Sequence, residues 1–206
     1  MTSNLTAALG EGMLDAIMLH FPPDCVVGIA IYATVDDAFA AGRRTRDRVT
    51  AQCGTTLRQE RRVVGVLFHS LLPDESDLAW RAEAQAMHAT LATWRVGPEL
   101  RSDGDLERFI AEGYRRFEPK IRSLGLIDGM VIRYADDELV VLNLYADPVE
   151  GESAHAEAMT VVAEYAAGYM ERISTQTGQA FDLPQLLARP SAGQNFRAPE
   201  RDTPGN

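Results

Sequence analysis

Two stretches of the chain repeat one pattern of hydrophobic and polar positions, 113 residues apart. The stretch from Gly12 to Ala33 aligns without a gap on the stretch from Gly125 to Ala146, and six of the 22 pairs are identical. Average residue usage would give roughly one or two identities by chance. In each stretch two apolar runs flank a short polar turn, which is typical of a β-hairpin. A repeat this long indicates a domain duplication, because solenoid repeats span about 20–50 residues.

The second copy predicts a β-α-β-β-α-β unit, the order of a ferredoxin-like domain. Its strands are rich in β-forming residues, and its helices carry apolar residues at i, i+3 and i+4 spacing. Pro119 predicts a kink or an early stop in the first helix. The predicted elements are a strand over 88–96, a helix over about 103–124, strands over about 128–134 and 138–146, a helix over about 151–173 and a short strand over 179–183.

The first copy begins inside the first helix of the unit, so it has no counterpart of the strand over 88–96. It predicts a helix remnant over about 5–10, a hairpin over 13–21 and 25–34, a helix over 36–52 and a strand over 55–70. The central strands of both copies are apolar on both faces, so neither face is expected to meet water, and Cys25 is expected in the core. The missing strand leaves an unpaired edge that a homodimer could cover.

These elements predict four segments, which are a truncated repeat over 1–72, a linker over 73–86, a complete repeat over 87–188 and a disordered tail over 189–206.

The net charge of −10 argues against a nucleic-acid partner, which requires clustered Lys and Arg. No apolar run reaches the roughly 18–20 residues of a membrane span, and the N-terminus lacks the pattern of a secretory leader. With two cysteines in unrelated contexts, a reduced, cytoplasmic protein is expected.

The second copy resembles the antibiotic-biosynthesis-monooxygenase (ABM) domains of the dimeric α+β barrel group. The likeness rests on Thr93-Trp94-Arg95 in the first strand, the helix end Leu124 to Gly129, the strand Leu142 to Asp147 and the alanine-rich helix around Ala154. In that group two sheets pack face to face, usually from two chains. The resemblance therefore implies an α+β fold in which the two copies form such a barrel within one chain.

The resemblance also implies a cofactor-independent monooxygenase that uses no metal or flavin and holds an aromatic or quinol-like molecule between sheet and helices. Such a site needs an apolar cavity with a few converging polar groups. Asn143 and His155 are the candidate catalytic residues. The candidate substrate-binding residues are Trp94, Tyr145, Tyr114 and Arg133.

Each candidate also has a structural interpretation. The Asn143 amide could hold a substrate oxygen or bond a neighbouring side chain, and Ala30 at the equivalent first-copy position means that such a site exists once. Tyr145 repeats as Tyr32, which favours a structural role, while Trp94 and Tyr114 could be core residues.

His155 could be a general base or a surface histidine on an acidic helix. The alternative function is a non-catalytic small-molecule-binding or scaffold protein. A closed pocket that touches Asn143, Trp94 and Tyr145 would favour catalysis, whereas a filled core would favour the scaffold.

Overall fold

The computed structural model describes residues 13–53, 63–70, 87–147 and 150–182, and the predicted helix remnant, linker and tail lie outside these ranges. The described chain has an α+β fold. Residues 13–70 are called the N-terminal unit and residues 87–182 the C-terminal unit. The elements are β1 (Met13–Phe21), β2 (Cys25–Tyr32), α1 (Val35–Cys53), β3 (Val66–Ser70), β4 (Met87–Val96), α2 (Asp103–Ser123), β5 (Leu126–Ala135), β6 (Glu138–Tyr145), α3 (Gly151–Ala166) and β7 (Met170–Asp182), with a short 3₁₀ turn at Pro98–Leu100.

The seven described strands form one curled antiparallel sheet in the order β2-β1-β7-β4-β6-β5-β3. The C-terminal unit supplies the four central strands. The N-terminal unit flanks them on both sides, with the β1–β2 hairpin against β7 and β3 against β5. Backbone hydrogen bonds join the strands of both units edge to edge into a continuous, curved layer.

The two junctions between the units have corresponding registers. His20 of β1 pairs with Gln179 of β7, and Val66 of β3 pairs with Arg133 of β5. Arg133 lies 113 positions after His20, and Gln179 lies 113 positions after Val66, so each pair is the repeat equivalent of the other. Beside the first junction, a Cβ on Gly178 would lie 2.1 Å from the backbone oxygen of His20, so the close approach there requires glycine. The same local pairing is therefore used twice.

One face of the curled sheet encloses a core shared by both units. The buried cluster combines Ile17, Leu19 and Phe21 of β1 with Leu142 and Leu144 of β6. Residues of β4, β5 and β7 complete the cluster, with partly buried residues of β2 and β3 against it. The hydrophobic contacts of the two units are thus continuous across both junctions.

The other face of β6 lies under helices, as its two apolar faces predicted. Side chains alternate along a strand, so Asn143 and Tyr145 point away from the core that holds Leu142 and Leu144. The prediction that both faces are buried is wrong for β2, where Val26 is 49% exposed and Gly28 and Ala30 are also exposed.

Three further predictions are corrected and one is confirmed. Cys25 is exposed because it opens β2 at the hairpin turn. Helix α2, capped by Ser102, was predicted to about residue 124 and does continue through Pro119 to Ser123. Helix α3 ends at Ala166 and not near residue 173, because Gly168 adopts φ +84° and redirects the chain into β7. The last strand of the N-terminal unit is Val66–Ser70, with residues 63–65 outside it and 54–62 undescribed.

No helix in the described ranges has the length and apolar character needed to cross a membrane.

Candidate functional site

A pocket of about 120 Å³ lies between the outer face of the sheet and helices α2 and α3. Alternation along β6 brings Leu139, Val141, Asn143 and Tyr145 to this face, and the same alternation presents Trp94 from β4. The helices contribute apolar and aromatic residues. At Gly113 of α2 a Cβ would lie 3.0 Å from the Tyr165 ring of α3, so the glycine lets the helices approach closely. The pocket is therefore mainly apolar, and β6 contributes an amide and a phenol to its wall.

Four of the six candidate residues line this pocket, namely Trp94, Tyr114, Asn143 and Tyr145. The Asn143 side chain is half-buried, and no group in the described ranges hydrogen-bonds its amide. The structural interpretation requires a neighbouring side chain bonded to this amide, and the described ranges contain none. The amide is therefore available to a bound molecule.

The Tyr145 hydroxyl is a second polar group of the pocket wall, and it is fully buried. Tyr145 is 1% exposed, and within the described chain its hydroxyl has no hydrogen-bond partner. Leaving a buried polar group unpaired costs about 1–3 kcal/mol. Burial raises the pKa of this phenol above its ordinary value, so it stays protonated at neutral pH and can donate a hydrogen bond. Burial also raises the pKa of Tyr114, with Asp128 nearby acting in the same direction.

His155 lies behind Tyr145 and does not line the pocket. It is buried, so its interpretation as a surface histidine is wrong. Its Nδ1 lies 3.2 Å from Thr90 Oγ1, and its ring centroid lies 6.2 Å from that of Tyr145. Burial lowers the pKa of His155 to about 4, and His88 and Arg172 act in the same direction. The imidazole is therefore neutral at pH 7.

The sequence analysis missed His88 and Thr90, which accompany His155 beneath the N-terminal end of α3. His88 is buried, its Nε2 has no partner in the described chain, and its ring centroid lies 6.1 Å from that of Tyr145. A Cβ on Gly151 would lie 2.5 Å from the His88 Cβ, so the first residue of α3 packs directly against the His88 side chain. His88 and Thr90 precede Trp94 by six and four positions on β4, so strand alternation places all three on one face. That alternation could have identified both residues.

Arg133 lies outside the pocket wall. Its guanidinium forms a 2.8 Å ion pair with Asp103 at the start of α2 and donates 2.7 Å and 3.1 Å hydrogen bonds to the carbonyls of Arg101 and Ala135. A further bond reaches the carbonyl of Asp136. These contacts fasten the β5–β6 turn to the beginning of α2, which is a structural role.

The buried histidines predict a loss of stability in acid. The pKa of His155 is lowered from 6.5 to about 4 in the folded protein, so the unfolded chain binds more protons between these values. Stability should be fully present above pH 6.5 and fall by about 2 kcal/mol between pH 7.5 and pH 5. Burial lowers the pKa of His88 as well, which adds a contribution of the same sign.

Urea unfolding at the two pH values tests this expectation. His155→Gln should show a smaller loss of unfolding free energy on acidification than the wild type, and His20→Gln in β1 provides the matched control. An unchanged pH dependence in His155→Gln would contradict the assignment to His155.

Comparisons with known proteins found no family model that matches the chain and no significantly similar curated protein. The geometry of the pocket is therefore the basis for any functional conclusion. In the described ranges, no three His, Cys, Asp or Glu side chains are grouped as a metal site would require.

Proposed function

We propose that this chain is a cofactor-independent monooxygenase of the ABM type that acts on an aromatic or quinol-like small molecule. The observation that carries the proposal is the apolar pocket between the sheet and two helices, lined together by Asn143, Trp94 and Tyr145. Apolar walls with a few converging hydrogen-bonding groups are typical of small-molecule sites.

The proposal extends to the fold, which we interpret as a tandem duplication of ferredoxin-like units. The strand order β7-β4-β6-β5 supports it, because a β-α-β-β-α-β unit places its fourth strand beside its first and its third beside its second. The corresponding registers of the two junctions support an internal two-fold relation. On this interpretation the first-copy counterpart of β4 would lie between β2 and β3. Association of two chains through the β2 and β3 edges of the described sheet remains a prediction.

The proposed chemistry takes its electrons from the substrate. At an activated CH₂ beside a phenol or ketone, loss of a proton gives an electron-rich carbon that reduces O₂. One oxygen atom becomes the new carbonyl oxygen, and the other leaves as water with the two hydrogens of the CH₂. The Asn143 amide would donate to the substrate oxygen on which negative charge develops, and the Trp94 ring would pack against the aromatic system.

The proposal assigns the role of base to His155, whose neutral ring can accept a proton. Because His155 does not line the pocket, the transfer would need an intervening water or hydroxyl. Tyr145 lies between this histidine and the cavity.

Oxygen uptake tests the activity. The purified chain, without added metal or flavin, should consume one O₂ per molecule of a quinol, phenol or anthrone substrate. Label from ¹⁸O₂ should appear in the product carbonyl when an anthrone-type CH₂ is oxidised. Folded protein that binds these molecules yet consumes no oxygen above the spontaneous rate would rule out the monooxygenase.

A second function, non-catalytic binding or scaffolding, rests on two specific observations. His155 lies off the pocket wall, and the other face of the sheet is filled by a shared core. Ligand binding without oxygen uptake is the result this alternative predicts.

A further inference from the structure

We propose that His88 and His155 form an acid-sensitive latch on helix α3, and that acidification opens the latch and uncovers the pocket. Neither histidine lines the pocket, so the latch controls access to it whether or not the pocket is catalytic. The anchoring of the helix, the position of the two rings and the charges around them each support the proposal.

Helix α3 has few large buried side chains that hold it to the sheet. Its buried residues are two alanines, a glycine and a histidine, namely Ala158, Ala166, Gly151 and His155. Hydrophobic stabilisation is proportional to the apolar area removed from water, so the glycine and the alanines contribute little. Met159 and Val162 pack against the core but are only partly buried. The attachment of α3 therefore depends strongly on the burial of one imidazole.

The two rings connect the N-terminal half of α3 to β4. Nδ1 of His155 lies 3.2 Å from Oγ1 of Thr90 on β4. His88 precedes Thr90 by two positions on the same face of the strand, and a Cβ on Gly151 would lie 2.9 Å from the His88 Cδ2. Both histidines are 7% exposed. A positive charge on either ring would therefore be held away from water, near the helix end whose dipole disfavours a cation.

The charged and titratable groups around the rings come from four elements. Helix α3 itself contributes Glu152, β7 contributes Arg172, β6 contributes the Tyr145 phenol, and β4 carries His88. Arg172 and His88 both disfavour a charge on His155. Of these groups only Glu152 favours a charge, and burial lowers the pKa of His88 by more than Glu152 raises it. The surroundings of the pair therefore disfavour protonation while α3 stays in place.

Movement of α3 away from β4 would let both rings reach water. The pKa of His155 would then rise from about 4 towards 6.5, so the open state binds more protons between these values. Opening therefore becomes more favourable as the pH falls, by about 30-fold in population between pH 7.5 and pH 5. Because Ala158, Met159 and Val162 of α3 line the pocket, the same movement uncovers its wall.

Hydrogen exchange of the full chain, followed by mass spectrometry, tests the latch. Rates measured at pH 7.5 and pH 5 are divided by the intrinsic exchange rate at each pH. On this scale the α3 amides should exchange about 30-fold faster at pH 5, and they should stay less protected than the β6 amides. Urea below the unfolding transition should accelerate exchange in β6 but hardly in α3, because a local opening exposes little surface.

His155→Gln keeps a group that can bond Thr90 but cannot be protonated, so it should lose most of the pH-dependent increase in α3 exchange. His20→Gln on β1 should behave as the wild type. The wild-type exchange decides the question even if the variant fails to fold. Equal protection and equal urea dependence of the α3 and β6 amides at pH 5 would show that α3 opens only with the whole protein, which would overturn the latch. An unchanged pH dependence in folded His155→Gln would do the same.

Thiol labelling shows whether the opening reaches the pocket. In a chain with Cys25→Ser and Cys53→Ser, a single cysteine replaces either Ala92, which lines the pocket, or Ala89, in the core on the other face of β4. The reagent 4,4′-dithiodipyridine reacts in acid. Relative to free cysteine, it should label Ala92→Cys about 30-fold faster at pH 5 than at pH 7.5, and faster than Ala89→Cys. Equal protection of the two thiols at pH 5 would contradict an opening at the pocket.

Discussion

Replacing Leu19 with alanine should destabilise the N-terminal and C-terminal units together, by about 2–5 kcal/mol. Leu19 is 0% exposed and lies in the core cluster that β1 shares with β4, β5, β6 and β7. The truncation would leave a cavity bordered by both units. The free energy of unfolding, measured with urea by circular dichroism, should fall in a single transition, and hydrogen exchange of the β4 amides should accelerate.

Leu14→Ala is the matched control, because Leu14 lies on the same strand and is 66% exposed. It should change the free energy of unfolding by less than about 0.5 kcal/mol. In the Leu19→Ala variant, the N-terminal unit could unfold while the β4 amides stay protected from hydrogen exchange. That result would show that the two units do not share a core.

Asn143→Leu should reduce kcat/KM for oxygen uptake by about 100-fold or more, because one hydrogen-bond donor to a developing oxyanion contributes on that scale. The substituted side chain enters an apolar wall beside Val141, so the fold should remain intact. Oxygen-electrode kinetics with the best substrate and the melting temperature of the variant check both statements.

Ala30→Leu tests whether the effect is specific, since Ala30 is the repeat equivalent of Asn143 and is exposed on β2. This variant should keep wild-type activity. Full activity in Asn143→Leu would remove the amide from the mechanism. Equal losses in both variants would point to a general effect on the fold.

The sequence predicted the strands well where a local signal marked them. The runs of apolar and β-forming residues in β2, β4 and β6 placed each strand close to its observed bounds. The apolar stripe of α3 continued in sequence through Tyr165 to Tyr169, so periodicity alone carried the predicted helix past Gly168. The positive φ of that glycine ended the helix, and no pattern of apolar residues encodes it.

The candidate site was predictable only where strand alternation determined it. Asn143 and Tyr145 share a face because they are two residues apart on β6, and both line the pocket. The burial of His155 depends on Thr90, 65 residues away, so its acidic helical neighbours gave a misleading signal. Arg133 bonds loop carbonyls whose positions depend on the assembled fold.

The union of the two units into one sheet was also beyond sequence reasoning. Apolar faces on β6 indicated that both sides must be covered, but not which edges would join. The pairing of β1 with β7 and of β3 with β5 is decided by contacts between residues far apart in the chain.

The strand order has a consequence for synthesis on the ribosome. The β1–β2 hairpin and β3 are made early, yet in the described sheet they lie at opposite ends and pair with β7 and β5 instead of with each other. The hairpin cannot dock until residues up to Asp182 have emerged. The β1–β2 hairpin and β3 must therefore wait, with apolar strands unshielded, until the C-terminal unit has been made, which makes the growing chain a natural client for a chaperone.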